Sequence, residues 1–139
     1  QSDIRLVFPM HPRTRQNLEG TAIGSRMERM KNLILIEPVS YLPFLKLMTD
    51  AAVVITDSGG IQEETTILGV PCMTLRENTE RPVTVTEGTN RLVDVTTQDI
   101  LNCFEDLKSR GFNIGGRIPK LWDGKAAERI ADILTRQHV

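Results

Sequence analysis

The sequence predicts an α/β fold, a doubly wound parallel sheet of Rossmann-like type. Two observations carry this. Short apolar runs alternate along the chain with segments of helical periodicity, the pattern of a parallel sheet with helical crossovers. Residues 51–75 in turn read as a strand, a glycine turn, a helix and a second strand. That turn lies at the carboxyl end of a parallel strand, the edge at which open α/β sheets bind ligands.

Taken in order, residues 4–8 (Ile-Arg-Leu-Val-Phe) are apolar enough for a central strand, ended by Pro9-Met10-His11-Pro12. Residues 14–19 form a short helix, 20–25 a polar loop, and 26–32 the tail of a second helical stretch. Leu33-Ile34-Leu35-Ile36 is the next strand, stopped by Glu37-Pro38, and Ser40 caps a helix over residues 41–49. Ala51-Ala52-Val53-Val54-Ile55 has the composition of a strand buried on both faces. After Asp57-Ser58-Gly59-Gly60, residues 61–68 read as a helix with Ile61, Thr65 and Leu68 on one face and Gly69 closing it. Residues 70–75 return to strand, 76–82 are a charged loop, 84–88 a helical turn and 90–95 a strand. Thr97 caps a helix to residue 110 with Ile100, Leu101, Phe104 and Leu107 inward. Residues 112–122 are irregular, and Asp123-Gly124 opens a last helix burying Ala126, Ile130, Ile133 and Leu134.

The chemistry available at the central turn follows from its residues. The first amides of a helix have no intrahelical partner and sit at the positive end of its dipole. Gly59 and Gly60 permit backbone angles and close approaches that a Cβ would block, and Ser58 adds a hydroxyl donor. A phosphate or diphosphate suits such a pocket. Glu64, a turn into the helix, clears the phosphate and can accept hydrogen bonds from a ribose diol. Spacing alone leaves a second reading open: a tight Gly-Gly turn followed by glutamates that favour the helix dipole. Two further residues carry the same ambiguity. Arg81 is either a solvated charge or a guanidinium matched to phosphate. Phe44 is either core or a stacking surface for a flat base.

Composition sets limits. The 139 residues suffice for one domain with a real core, and 40% hydrophobic and 25% charged residues are ordinary for a soluble globular protein. A net charge of −1 gives no electrostatic case for nucleic acid or an anionic membrane. No apolar run approaches a membrane span, and Gln1-Ser2-Asp3 does not read as a signal peptide. Cys72 and Cys103 lack metal-ligand or CxxC spacing and read as free thiols of a reducing, cytoplasmic compartment.

The motifs Tyr41-Leu42-Pro43-Phe44, Asp57-Ser58-Gly59-Gly60-Ile61-Gln62-Glu63-Glu64, Leu68-Gly69-Val70-Pro71, Thr79-Glu80-Arg81-Pro82, Gly88-Thr89-Asn90-Arg91-Leu92-Val93 and Asp123-Gly124-Lys125-Ala126-Ala127-Glu128-Arg129-Ile130 occur in this order. Together they resemble the UDP-N-acetylglucosamine 2-epimerase family over nearly the whole chain. The resemblance implies the carboxyl-terminal half of a two-domain, glycosyltransferase-B-like enzyme. Such an enzyme converts UDP-N-acetylglucosamine to UDP-N-acetylmannosamine by eliminating UDP and re-adding it. It implies UDP binding by Phe44 (against uracil), Ser58, Gly59, Gly60, Glu64 and Arg81, although Val83 stands where the family has a glutamate. It matches His11 to a histidine that, in bacterial members, helps bind an activating second substrate molecule, although Pro12-Arg13-Thr14 departs from their Asn-Pro pattern. A lone histidine is otherwise a structural hydrogen-bonder.

By the same resemblance the catalytic carboxylates belong to an amino-terminal domain, so no catalytic residue, metal or cofactor is expected in this chain. The partner is a UDP-sugar, and the intact enzyme a homodimer. The domain is expected to span residues 1–139 and to lack its first strand, which ends in His-Arg-x-Glu-Asn and lies between the strands at 4–8 and 53–56. An altered sheet, or an intermolecular contact along it, is the expected consequence. Related UDP-sugar enzymes (a hydrolysing epimerase, a modified-sugar 2-epimerase, a glycosyltransferase) and a stand-alone nucleotide-binding module are the alternative functions.

Overall fold

The structure, a computed structural model, describes residues 4–136; Gln1-Ser2-Asp3 lies outside them. The chain divides into two compact units at Leu45 and Lys46. Every strand pairs in parallel, as the predicted α/β class requires. Among the described residues the pairs fall into two sheets, one of two strands and one of three, each within its own unit.

In the first unit β1 (Leu6–Pro9) pairs with β2 (Leu33–Ile36), Leu6 opposite Leu33. Between them run α1 (Pro12–Leu18) and α2 (Ala22–Glu28). Helix α2 replaces the loop expected at residues 20–25. The Thr21 hydroxyl accepts from the Gly24 amide at 3.0 Å, an N-cap that starts the helix two residues after a glycine. α3 (Tyr41–Thr49) keeps the expected bounds and crosses the division between the units.

The second unit is the sheet β3 (Val54–Thr56), β4 (Cys72–Leu75), β5 (Asn90–Val93), in that order. α4 (Gly59–Leu68) connects β3 to β4, and α5 (Pro82–Thr86) connects β4 to β5. β4 is the strand buried on both faces, with Cys72, Met73 and Thr74 all 0% exposed. Among the described residues β3 pairs with β4 alone, and Ile55 is exposed, a correction to the burial expected there. Burial raises the Cys72 thiol above its ordinary pKa, which fits an inert, free cysteine. α6 (Thr97–Ser109) is capped by Thr96, one residue earlier than expected, its hydroxyl accepting from the Asp99 amide at 3.1 Å. The core joins Met73 and Val93 to Leu107 of α6, with Ile100, Cys103, Phe104 and Phe112 packed on it. Leu101, expected inward, is exposed. So are Ile130, Ile133 and Leu134 of α7 (Ala126–Arg136), which buries none of its residues. No helix of the described residues is long and apolar enough to cross a membrane.

Arg91 on β5 ties the sheet to α6 through an ion pair with Asp106, which Arg110 also contacts. The Arg91 hydrogen bond holds the Asp106 carboxyl below its ordinary pKa. A depressed folded-state pKa stabilises the fold above the unfolded carboxylate value of about 3.9 and ceases to do so as pH falls through the lower folded value. Asp106→Asn is therefore expected to be less stable than the parent at pH 7. The gap should close as pH falls from about 4 through the lower folded value, as read from urea midpoints across that range.

Candidate functional site

The site is built on the junction of β3 and α4. Thr56 ends the strand, and its hydroxyl accepts from the Ser58 amide at 3.0 Å, which turns the chain into the helix. Ser58 is the N-cap, in extended conformation (φ −83°, ψ 132°), but makes no side-chain capping bond. Ser58 therefore does not close the first-turn amides with its own side chain. Neither Gly59 nor Gly60 has positive φ, so backbone freedom, one of the two reasons considered for them, is not needed. A Cβ at either position would meet no heavy atom within 4 Å, so packing within the domain does not require glycine there, and the close approach of a ligand is the reading left to them.

Glu64 stands one turn after Gly60, on the same side of the helix, and about 9 Å along the axis from Ser58 at 1.5 Å per residue. It is half-buried. This places a carboxylate acceptor beyond the end of an anion bound at the turn. Arg81 is the N-cap of α5, and its Nε lies 2.9 Å from Oε1 of Glu63, with both side chains partly exposed. The guanidinium thus stands beside α4, held by a carboxylate that a bound diphosphate would compete with.

Ser58, Gly59, Gly60, Glu64 and Arg81 all belong to the second unit, while Phe44 and His11 belong to the first. Phe44 is half-buried on α3, its amide bonded to the Ser40 carbonyl at 3.1 Å. His11 caps α1, accepting from the Arg13 amide at Nδ1 (3.2 Å), and is exposed, so it fills the structural role open to it. A concavity of the first unit, lined by Met10, Arg15, Glu19 and Glu28 among others, includes none of the glycine-turn residues, and its two carboxylates disfavour an anion. Among the described residues, no group of three or more His, Cys, Asp and Glu side chains could hold a metal.

Two residues of the site went unassigned in the sequence. The inner face of α4 is polar: Thr65 is buried as expected, but Gln62 and Thr66 are buried beside it, while Ile61 and Leu68, expected on that face, are half-buried. Gln62 meets Asn90 of β5 at 3.0 Å, also buried. The signal available was Gln62, Thr65 and Thr66 at i, i+3 and i+4, a stripe that a count of apolar residues passes over.

The sequence profile of the UDP-N-acetylglucosamine 2-epimerase family matches residues 1–135. The UDP-N-acetylglucosamine 2-epimerase of Methanocaldococcus jannaschii is 41% identical over 133 residues, covering 96% of this chain and 36% of that protein. The Escherichia coli K12 enzyme of the same name is 38% identical over 148 residues, covering 99% of this chain and 36% of that protein. The fold agrees. The crystal structure of the M. jannaschii enzyme in complex with UDP-GlcNAc and UDP aligns with a TM-score of 0.75 at 39% identity, over 95% of this chain and 36% of that one. The S. aureus MnaA–UDP structure aligns with a TM-score of 0.82 at 29% identity, over 99% of this chain and 37% of that one. This chain thus spans little more than a third of the length of these relatives. A match that runs through the glycine turn and almost from end to end decides the matter: the chain belongs to the UDP-N-acetylglucosamine 2-epimerase family.

Proposed function

We propose that this chain is the UDP-binding, carboxyl-terminal domain of a UDP-N-acetylglucosamine 2-epimerase, spanning residues 1–139 and working with an amino-terminal domain that supplies the proton transfers. The observation that carries the reading is the start of α4, where Ser58 makes no side-chain capping bond and a Cβ on Gly59 or Gly60 would meet no heavy atom within 4 Å. The diphosphate sits on the first-turn amides and the Ser58 hydroxyl. Arg81 exchanges Glu63 for the diphosphate, and Glu64 takes the ribose diol. In the reaction, UDP leaves C1 of the sugar as the proton on C2 is removed, giving a glycal, and adds back to C1 as a proton is delivered to the opposite face of C2. Amides and a guanidinium aimed at the departing diphosphate stabilise charge that grows in the transition state, so they contribute to rate as well as to affinity. The relatives solved with UDP-GlcNAc and UDP support this ligand class. His11 belongs to a second, activating substrate site in this reading. The intact protein is a homodimer of the cytoplasm, a location supported by the free thiols Cys72 and Cys103.

Calorimetric titration of the intact protein with UDP, UMP and uridine tests the assignment. Charge-assisted hydrogen bonds contribute about 1.5–3 kcal/mol each, so UDP is expected to bind at least about 100-fold more tightly than uridine, with UMP between them. Equal affinity for the three would refute the diphosphate site. Product analysis with UDP-N-acetylglucosamine separates an epimerase from a hydrolysing or transferring relative.

A further inference from the structure

We infer that Gln62, together with Asn90, is a positioning residue that fixes the Arg81 backbone beside the glycine turn of α4. This inference rests on the diphosphate site proposed above. Gln62 is 0% exposed and Asn90 3%, yet both carry full hydrogen-bonding amides. Oε1 of Gln62 accepts from the Thr79 hydroxyl at 2.6 Å and from Nδ2 of Asn90 at 3.0 Å. Nε2 of Gln62 donates back to the Ser58 carbonyl at 3.4 Å. Asn90 accepts from the Thr74 hydroxyl at 2.6 Å, and its Nδ2 also donates to the Thr84 hydroxyl oxygen at 3.2 Å.

The two threonines that these amides hold meet at one residue. The Thr79 hydroxyl oxygen accepts from the Arg81 amide at 2.9 Å, and the Thr84 hydroxyl donates to the Arg81 carbonyl at 2.7 Å. Arg81 is therefore gripped at both its backbone polar atoms by hydroxyls whose own orientation the buried amides set. The donors and acceptors close without conflict. Each hydroxyl proton has one acceptor, both Nδ2 protons of Asn90 are used, and both lone pairs of the Gln62 oxygen are taken. Reversing the Asn90 amide would set two carbonyl oxygens against each other, so the network admits one arrangement.

An apolar pair would fill this interior at no desolvation cost, and a buried polar network is costly unless complete. What the amides add is direction: they connect the Ser58 carbonyl, at the start of α4, with the Arg81 peptide. The guanidinium is then delivered to the turn without ordering its loop at the moment of binding, the saving that preorganisation gives.

The test uses Thr79→Val, Thr79→Ser and Gln62→Met in the intact protein, with UDP and uridine as paired probes. Thr79 is only half-buried, so its valine variant should fold even if Gln62→Met does not. Thr79→Val is expected to weaken UDP about tenfold, the loss of one hydrogen bond's worth of positioning, with uridine affinity unchanged. Thr79→Ser should restore parent affinity, and Gln62→Met, where folded, should match Thr79→Val. Arg81→Ala should weaken UDP in the parent but add little in Thr79→Val, because the two changes remove one interaction. Parent UDP affinity in Thr79→Val, or an equal loss for UDP and uridine, would overturn the inference while leaving the diphosphate site standing. A parent protein that does not distinguish UDP from uridine overturns both.

Discussion

Replacing Gly60 with valine is expected to reduce UDP affinity by at least about 100-fold while leaving the domain as stable as before or slightly more so. The two halves of that result have separate causes. On the binding side, the valine side chain would fill the space in front of the α4 amides, where a Cβ now meets nothing within 4 Å. The diphosphate would lose its approach to two or more N–H groups. At about 1.5–3 kcal/mol for each hydrogen bond to a charged group, two such losses amount to a factor of about 100 or more. On the stability side, Gly60 is in helical conformation near the start of α4. Glycine there costs up to about 1 kcal/mol relative to a good helix former, and valine less. A binding defect in a protein with an unchanged or raised melting temperature is the signature sought. Gly60→Ala should show the same pattern at smaller scale. A glycine needed for the turn itself would give the opposite: a destabilised protein, with binding lost only as far as folding is lost.

Much of this site was legible from the chain, and the exceptions share a physical reason. The bounds of β2 and α3 agree with the sequence because apolar runs stopped by Pro38, and a helix opened after Ser40, are local signals. The turn that holds Ser58, Gly59, Gly60 and Glu64 and the loop that holds Arg81 share one sheet edge because both follow strands of one parallel sheet, and Arg81 reaches Glu63 on α4. Helix α2 is hidden in the sequence because Gly20, Gly24 and Ser25 have the composition of a loop. Gly24 is nonetheless required inside the helix, where a Cβ would come 2.3 Å from the Leu18 carbonyl oxygen. The stripe on α7 predicts burial because periodicity reports an apolar face, whereas burial needs a surface to receive it, and Ile130, Ile133 and Leu134 are exposed. Gln62 and Asn90 were passed over for a related reason. Their value lies in a partner 28 positions away in the chain, and no local pattern of polar residues announces a satisfied network.

Gly88→Ala is expected to do what Gly60→Val does not: destabilise the domain by roughly 3 kcal/mol, the upper part of the usual range for overpacking. In the sequence the two glycines look alike; their surroundings differ. A Cβ on Gly88 would come 2.5 Å from Oγ1 and 2.7 Å from Cγ2 of Thr66, and 2.6 Å from the backbone carbonyl oxygen of Thr84. Thr66 is 1% exposed, and its hydroxyl is bonded to the Gln62 carbonyl at 2.8 Å, so it has no empty rotamer to retreat into. The Thr84 carbonyl belongs to α5, whose preceding residue Val83 accepts from the Gly88 amide at 3.1 Å. Relief therefore requires α5 to move from α4, and such a shift would pull Thr84 away from Asn90 and loosen the grip on Arg81. The variant should consequently show a lower urea midpoint, with a slope close to the parent's, together with a weakened UDP affinity even at temperatures where it is fully folded. Loss of stability alone, with UDP affinity intact in the folded protein, would mean that α5 moves without disturbing Arg81. An unchanged midpoint would mean that the close approach of Gly88 to Thr66 and Thr84 is relaxed in solution.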